Sequence, residues 1–277
     1  MTSTTETRGG DLRGREARPG RPLLLTVRDR VVGGAVWLFA LAAVALFRVA
    51  DATLDLRVFG YEHLGALLRA RRPLLVVVWH GKGLLPVFFL QGLPLVVYSS
   101  QSRVGPIPPL SRLVRQLTLA SLTHLGYQVL DAARFASESR GVIRFLQHLT
   151  SGHSGVIAAD GPGGPIFQAK PGAAYVARKT GVALIPVGAA MRDLLALDSW
   201  DRFEIPQPFT RAALTIGEPL FIPGDADDDT LPALSEHLET VLNDLTAQAE
   251  VEAFAEATGT QTNREWGSGI RDQRPSR

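Results

Sequence analysis

The chain contains no cysteine, which excludes a disulfide framework, a thiolate metal site and a cysteine nucleophile together. The compartment stays open, with nothing opposed to a reducing one. Carboxylates are missing from His63 to Leu130, where Arg69, Arg71, Arg72, Lys82, Arg103, Arg112 and Arg115 supply seven positive charges. Lysine and arginine are missing from Ala212 to Asn263, which holds eleven acids, among them Glu218, Asp225, Glu236 and Glu239. A net charge of +2 conceals this separation. One lobe is therefore expected to attract anions such as phosphates or acidic lipid headgroups, with solvated helix faces as the plainer alternative. No two histidines have zincin spacing and no acid cluster has an EF-hand pattern, so no metal is expected.

Two familiar motifs are approached and missed. Gly81-Lys82-Gly83-Leu84-Leu85-Pro86 follows a strand-like run, as a dinucleotide fingerprint does. Pro86 stands where the third glycine belongs, however, and no acid near position 100 is available for a ribose. Gly152-His153-Ser154-Gly155-Val156 resembles a nucleophile elbow, but its second glycine falls one place early. It also precedes a strand, whereas the elbow must follow one and open a helix. A turn closing a helix accounts for it.

What is present is enough apolar sequence for one large domain: 277 residues, 45% of them hydrophobic. Residues 1–25 are rich in Thr, Gly and Arg and read as a disordered basic segment. Residues 26–50 contain seventeen uncharged residues, Val31 to Phe47, bracketed by arginines. As a helix this run is about 26 Å long, slightly short of the hydrocarbon core, and reads as a membrane anchor, with a buried core helix as the alternative. Its distance from the amino terminus argues against a signal peptide. Basic residues ahead of it favour a cytoplasmic amino terminus if it spans. An in-plane or re-entrant anchor, with the domain inside, is preferred. Residues 51–256 form the expected α/β domain, and 257–277 a polar, disordered tail.

Within the domain, strand and helix patterns alternate: strands at 74–79, 93–98, 127–130, 156–159, 182–187 and 212–216, helices at 62–70, 84–90, 111–125, 137–149, 173–180 and from 231. Leu54, Leu56 and Val58 alternate with polar residues as an edge strand does. This predicts an α/β fold with a mostly parallel central sheet flanked by helices. The run Leu74-Leu75-Val76-Val77-Val78 is apolar throughout, the mark of a strand covered on both faces, and it ends in Trp79-His80-Gly81. A second run, Gly155-Val156-Ile157-Ala158-Ala159, ends in Asp160-Gly161-Pro162-Gly163-Gly164-Pro165. Carboxyl ends of parallel strands share a rim, so His80 and Asp160 are expected to meet there. Both have plainer readings, His80 as a structural histidine and the Asp160 loop as ordinary turn chemistry. Downstream, Lys170-Pro171-Gly172 opens a helix, and a helix amino end beside a lysine favours an anion.

Taken together, Trp79-His80-Gly81-Lys82, Asp160-Gly161-Pro162-x-Gly164-Pro165, Lys170-Pro171-Gly172, Thr180-Gly181 and the stretch Ser199-Trp200-Asp201-Arg202-Phe203-Glu204-Ile205-Pro206-Gln207-Pro208-Phe209 resemble the lysophospholipid acyltransferase superfamily. The likeness is to its bacterial branch with Trp-His and Asp-Gly-Pro-x-Gly-Pro signatures, and runs from about Leu54 to Ile222. The resemblance implies transfer of a fatty acyl group from an acyl-CoA or acyl carrier protein thioester to a hydroxyl of a lysophospholipid or other membrane lipid. No further cofactor and no nucleic acid are implied, and the partner surface is a membrane, expected at the cytoplasmic face of the inner membrane. His80 matches the general base of the family, and Asp160 with Gly161 matches the block that binds the acceptor's polar head.

The chain departs from the family in several places. The wider superfamily reads His-x4-Asp, but Leu85 occupies the acid's position, so Asp160 is expected to orient His80 or grip the headgroup. Gly163 stands where the branch has an arginine, leaving Arg103, Arg134 or Arg140 to supply that cation. Lys82, Arg103 and Lys170 are expected to neutralise phosphate. Gly161, Pro162, Gly163 and Gly164 are expected to line the substrate, with backbone N–H groups of this loop serving an oxyanion. The alternatives are a non-catalytic lipid-binding relative and an esterase or thioesterase working through water.

Overall fold

The sheet is organised around β2 (Leu74–Val78), whose five residues are all buried. Side chains alternate across a strand, and β2 feeds two cores: Leu74, Val76 and Val78 enter one, Leu75 and Val77 the other. The structure is a computed structural model. It describes residues 52–100, 109–135 and 137–255, together with 37–50 except positions 40, 43 and 47.

Around β2 lie β1 (Asp55–Phe59), β3 (Leu95–Ser99), β4 (Gln128–Asp131), β5 (Ser154–Ala158), β6 (Ala183–Met191) and β9 (Arg211–Ile216), in the order β1-β9-β6-β2-β5-β3-β4. Val76 is level with Val156 of β5 on one side and with Ile185 of β6 on the other, both in parallel register. The parallel expectation therefore holds for β6, β2, β5, β3 and β4. It fails at one edge, where β9 runs antiparallel to β6 and carries β1 parallel to itself. A second sheet, the hairpin β7 (Leu194–Ala196) and β8 (Glu204–Pro206), was not expected from the sequence. Its strands are three residues each, too short for periodicity to reveal.

Helices cover both faces. Tyr61, Leu64 and Leu67 of α1 (Tyr61–Arg69) and Leu84, Leu85 and Phe88 of α2 (Leu84–Phe89) pack into the first core. Phe145 and Leu149 of α4 (Glu138–Thr150), Val176 of α5 (Gly172–Thr180) and Leu238 and Leu242 of α6 (Leu231–Phe254) pack into the second. A further helix, α3 (Pro109–His124), leads into β4. Toward its end α6 narrows its buried stripe to Ala249 and Ala253, which meet Ala190 of β6 and Ala213 of β9. Small residues there let helix and sheet backbones approach closely.

The expected anchor, residues 26–50, and the terminal segments 1–25 and 257–277 fall largely outside the described residues. Those described between 37 and 53 are helical. Val44 is buried in the first core, whereas Trp37, Leu38, Phe39, Leu41, Leu46 and Val49 are exposed. Among the described residues no helix is long and apolar enough to cross a membrane.

The approach of α6 to β6 is closest at Gly188, where an added Cβ would lie 2.3 Å from the Leu245 carbonyl carbon. The carbonyl is main chain and a Cβ is fixed in place by its own backbone, so neither can swing aside. Gly188→Ala is expected to lower stability by about 1–3 kcal/mol, measured as a fall in the urea unfolding midpoint with an unchanged slope.

Candidate active site

The buried run of β2 stops at Trp79, and the chain turns at once: the Lys82 N–H donates to Trp79 O and the Gly83 N–H to His80 O. This turn presents the His80 side chain, 45% exposed, at the rim made by the carboxyl ends of the parallel strands. Antiparallel β9 begins on the same rim, and so does the β7–β8 hairpin that leaves β6. Residues 199–204 of that hairpin lie directly against the turn. The Glu204 N–H donates to Gly81 O at 2.9 Å. A Cβ on Gly81 would lie 2.0 Å from the Asp201 carbonyl oxygen, so only glycine allows this approach.

That contact delivers a carboxylate. Asp201 Oδ2 lies 2.6 Å from His80 Nδ1, and Asp201 Oδ1 accepts from Ser199 Oγ at 2.5 Å. Burial works to raise the Asp201 pKa, but the hydrogen bonds from His80 and Ser199 outweigh it and hold the carboxyl below its ordinary value. Asp201 is therefore an anion with no proton of its own to share, and the hydrogen between the two must be on Nδ1. The free lone pair of the neutral ring is then at Nε2. Trp200 and Phe203 flank the imidazole, with ring centroids 5.3 and 6.5 Å away.

Asp160 does reach His80, but through the main chain. Its Oδ1 accepts the His80 backbone N–H at 3.0 Å, which fixes the end of β2 rather than the ring. The expectation that Asp160 orients the imidazole is corrected on this point: Asp201 does so, from 121 positions away. Asp160 is fully buried, and its Oδ2 has no hydrogen-bond partner among the described residues. Burial, the largest influence, raises its pKa despite the opposing His80 N–H.

A cavity of about 620 Å³ opens beside His80, running between Tyr98, Phe145, Ile157 and Val176. Its walls are largely apolar. Gly161 and Pro162 line it, in the short turn Gly161–Gly163 that follows Asp160. Gly163 is exposed, and Gly164 is buried beneath Trp200, where a Cβ would lie 2.7 Å from the indole. Lys170 and the first residues of α5, Gly172 and Ala173, complete one wall. Among the described residues Lys170 has no ion-pair partner.

The other expected cations are not gathered here. Lys82 is buried and turned away from the cavity, its Nζ 2.8 Å from Glu204 Oε1 and 3.6 Å from Glu250 Oε1. A phosphate-binding role for Lys82 is corrected accordingly. Arg103 lies outside the described residues. Arg134 is exposed with Nε 3.7 Å from Asp131, Arg115 pairs with the same carboxylate, and Arg140 is exposed. Arg69, Arg71 and Arg72 precede β2 and so sit at the rim opposite His80. Among the described residues the cations of the carboxylate-free stretch thus lie at both ends of the sheet.

Asp201 was the functional residue that sequence reasoning missed. It lies in Ser199-Trp200-Asp201-Arg202, within the resembling stretch, but a carboxylate arriving on an irregular loop leaves no periodic signal. The absence of an acid five residues after His80, where Leu85 stands, was the available cue that one must come from elsewhere.

No family model matches the chain. Over 100 residues it is 27% identical to an uncharacterised protein of Rickettsia prowazekii, a stretch covering 36% of this chain and 46% of that protein. The chain therefore matches less than half the length of that relative. Among solved structures it is similar to the crystal structure of the 1-acyl-sn-glycerophosphate (LPA) acyltransferase PlsC from Thermotoga maritima. That similarity has 18% identity and a TM-score of 0.45, over 81% of this chain and 85% of that one.

Because the Asp160 pKa is raised on folding, its ionised form costs stability above the ordinary carboxylate range, and the cost vanishes where the group is protonated in both states. Asn retains an oxygen for the His80 N–H. Asp160→Asn is therefore expected to raise the thermal midpoint at pH 7 to 8, with the difference closing as pH falls toward about 4, as read by scanning calorimetry.

Proposed function

We propose that this chain is an O-acyltransferase that moves a fatty acyl group from an acyl-CoA or acyl carrier protein thioester to a hydroxyl of a lysophospholipid or another membrane lipid. The observation that carries the reading is an imidazole held through Nδ1 by a buried carboxylate at the edge of an apolar cavity. Among the described residues no hydroxyl or thiol nucleophile is hydrogen-bonded to that ring. Such a base suits direct attack by an incoming hydroxyl better than a covalent enzyme intermediate.

In this mechanism His80 Nε2 takes the proton of the acceptor hydroxyl as its oxygen bonds to the thioester carbonyl carbon. Asp201 stabilises the resulting imidazolium and keeps the ring from rotating. The carbonyl oxygen becomes an oxyanion, for which N–H groups of the Gly161–Gly164 loop are the proposed donors. The C–S bond then breaks, and the departing sulfur takes the proton back from His80. Atoms and charge balance with no other reactant. The apolar cavity supports a bound acyl chain, and Lys170 beside the amino end of α5 supports an anionic group of the donor or acceptor. Exposed Trp37, Leu38, Phe39, Leu41, Leu46 and Val49 support residence at a membrane, proposed at the cytoplasmic face of the inner membrane where the thioester donors are available.

The test is incubation of the full chain with acyl-CoA or acyl carrier protein and a panel of lysophospholipids, with products read by mass spectrometry. A diacyl lipid whose formation His80→Ala abolishes is the expected result. Asp201→Asn should lower kcat by about 10²–10⁴-fold. Release of free fatty acid without an acceptor would instead make the protein a thioesterase, and lipid binding without turnover a non-catalytic relative.

A further inference from the structure

The acid and base of the site come from segments 121 positions apart, and neither belongs to a regular element that fixes its place. His80 sits on the turn after β2, and Asp201 on the irregular stretch between β7 and β8. A 2.6 Å hydrogen bond between such segments survives only if something holds them in register. Two main-chain features contribute, the Glu204 N–H to Gly81 O bond and the tight seat of Asp201 on Gly81. Neither reports on side-chain charge.

The third feature does. Lys82, two residues after His80, is buried, and its Nζ meets Glu204, three residues after Asp201, at 2.8 Å. Glu250 of α6 approaches the same ammonium at 3.6 Å, and the Phe167 ring lies 6.0 Å from it. Taking a lysine and a glutamate out of water is costly, and a buried ion pair is often no more stable than an apolar pair of like volume. Such a pair needs a reason beyond stability. What it offers, and an apolar contact does not, is direction: the donor and its nearest acceptor define one relative placement of the turn and the loop.

We infer that Lys82 and Glu204 are positioning residues, an ion pair that holds the His80 turn and the Asp201 loop together so that the carboxylate meets Nδ1. Neither touches the cavity in which the reaction is proposed. Lys82 and Glu204 instead belong to a separate hollow of about 380 Å³ behind the pair, bounded also by Asn243 and Thr246 of α6. The kinetic part of this inference rests on the acyltransfer reading; the geometric part stands without it.

The experiment compares four proteins: Lys82→Met, Glu204→Gln, Glu204→Leu and the double variant Lys82→Met/Glu204→Leu. Lys82→Met leaves Glu204 buried without its cation, the Glu204 variants leave Lys82 only the more distant, half-exposed Glu250, and each is expected to lower the thermal midpoint. The double variant buries no charge and is expected to fold with a midpoint at or above that of the parent. The decisive readout is the downfield imidazole Nδ1–H resonance of the His80–Asp201 hydrogen bond, assigned by its loss in His80→Ala. It should be present in the parent, retained in Glu204→Gln, whose amide oxygen still accepts from Lys82, and broadened or lost in the stable double variant. With turnover established, kcat of the double variant should fall about 100-fold while KM changes less than about twofold. A double variant that keeps the resonance and full kcat overturns the inference and makes the pair purely structural. A parent protein that shows the resonance but transfers no acyl group leaves the positioning role standing and overturns the acyltransfer reading instead.

Discussion

The contact between the turn after β2 and the loop after β7 is the constraint on which the site depends. At Gly81 the two main chains come so close that no side chain fits, and the His80–Asp201 hydrogen bond follows from that approach. The sheet supplies the anchorage. With β2 packed on both faces and paired on both edges, its end is among the least mobile points of the fold. The imidazole is thus carried on a rigid support, while its partner carboxylate is brought to it by a hairpin held down by side-chain and main-chain bonds.

Asp160 works on the same point from the other side. A buried carboxylate whose pKa is raised by its burial is an expensive way to accept main-chain N–H groups. Its position at the end of β5, next to the lining residue Gly161, sets the two strand ends at a fixed spacing, with the histidine on one and the cavity loop on the other. Lys170 reinforces the arrangement, because its N–H donates to Ala159 O at the root of the same loop. The geometry of base, cavity wall and Lys170 therefore derives from two adjacent strand ends.

Much of the fold was legible because its signals are local. The unbroken apolar run of β2, the alternation in β1 and the apolar stripe of α6 each announce an element and its buried face. The reversal of β9 was not legible, since a strand pattern carries no direction, and the short β7–β8 strands fall below any period. The site divides in the same way. His80 and the Asp160 loop stood out as polar stops after buried strands, which topology brings to one rim. Asp201 and Glu204 became visible only in three dimensions, because what selects them is proximity across 121 and 122 positions rather than any local pattern. Charge counting misled for a related reason: Lys82 looked like a free cation in a stretch without acids, yet its counter-ions arrive from β8 and α6.

The order of the strands also governs when the molecule can come into being. β1, the first strand of the sheet in chain order, has β9 as its neighbour, so Asp55 waits for Arg211 to be made before that border of the sheet can close. A chain emerging from the ribosome passes through a long interval in which β2, β3, β4 and β5 can associate while one flank stays open and the histidine lacks its acid. Pairings at such separation are slow to form, and His80 has no carboxylate on its Nδ1 until residue 201, within the last third of the chain, has been made.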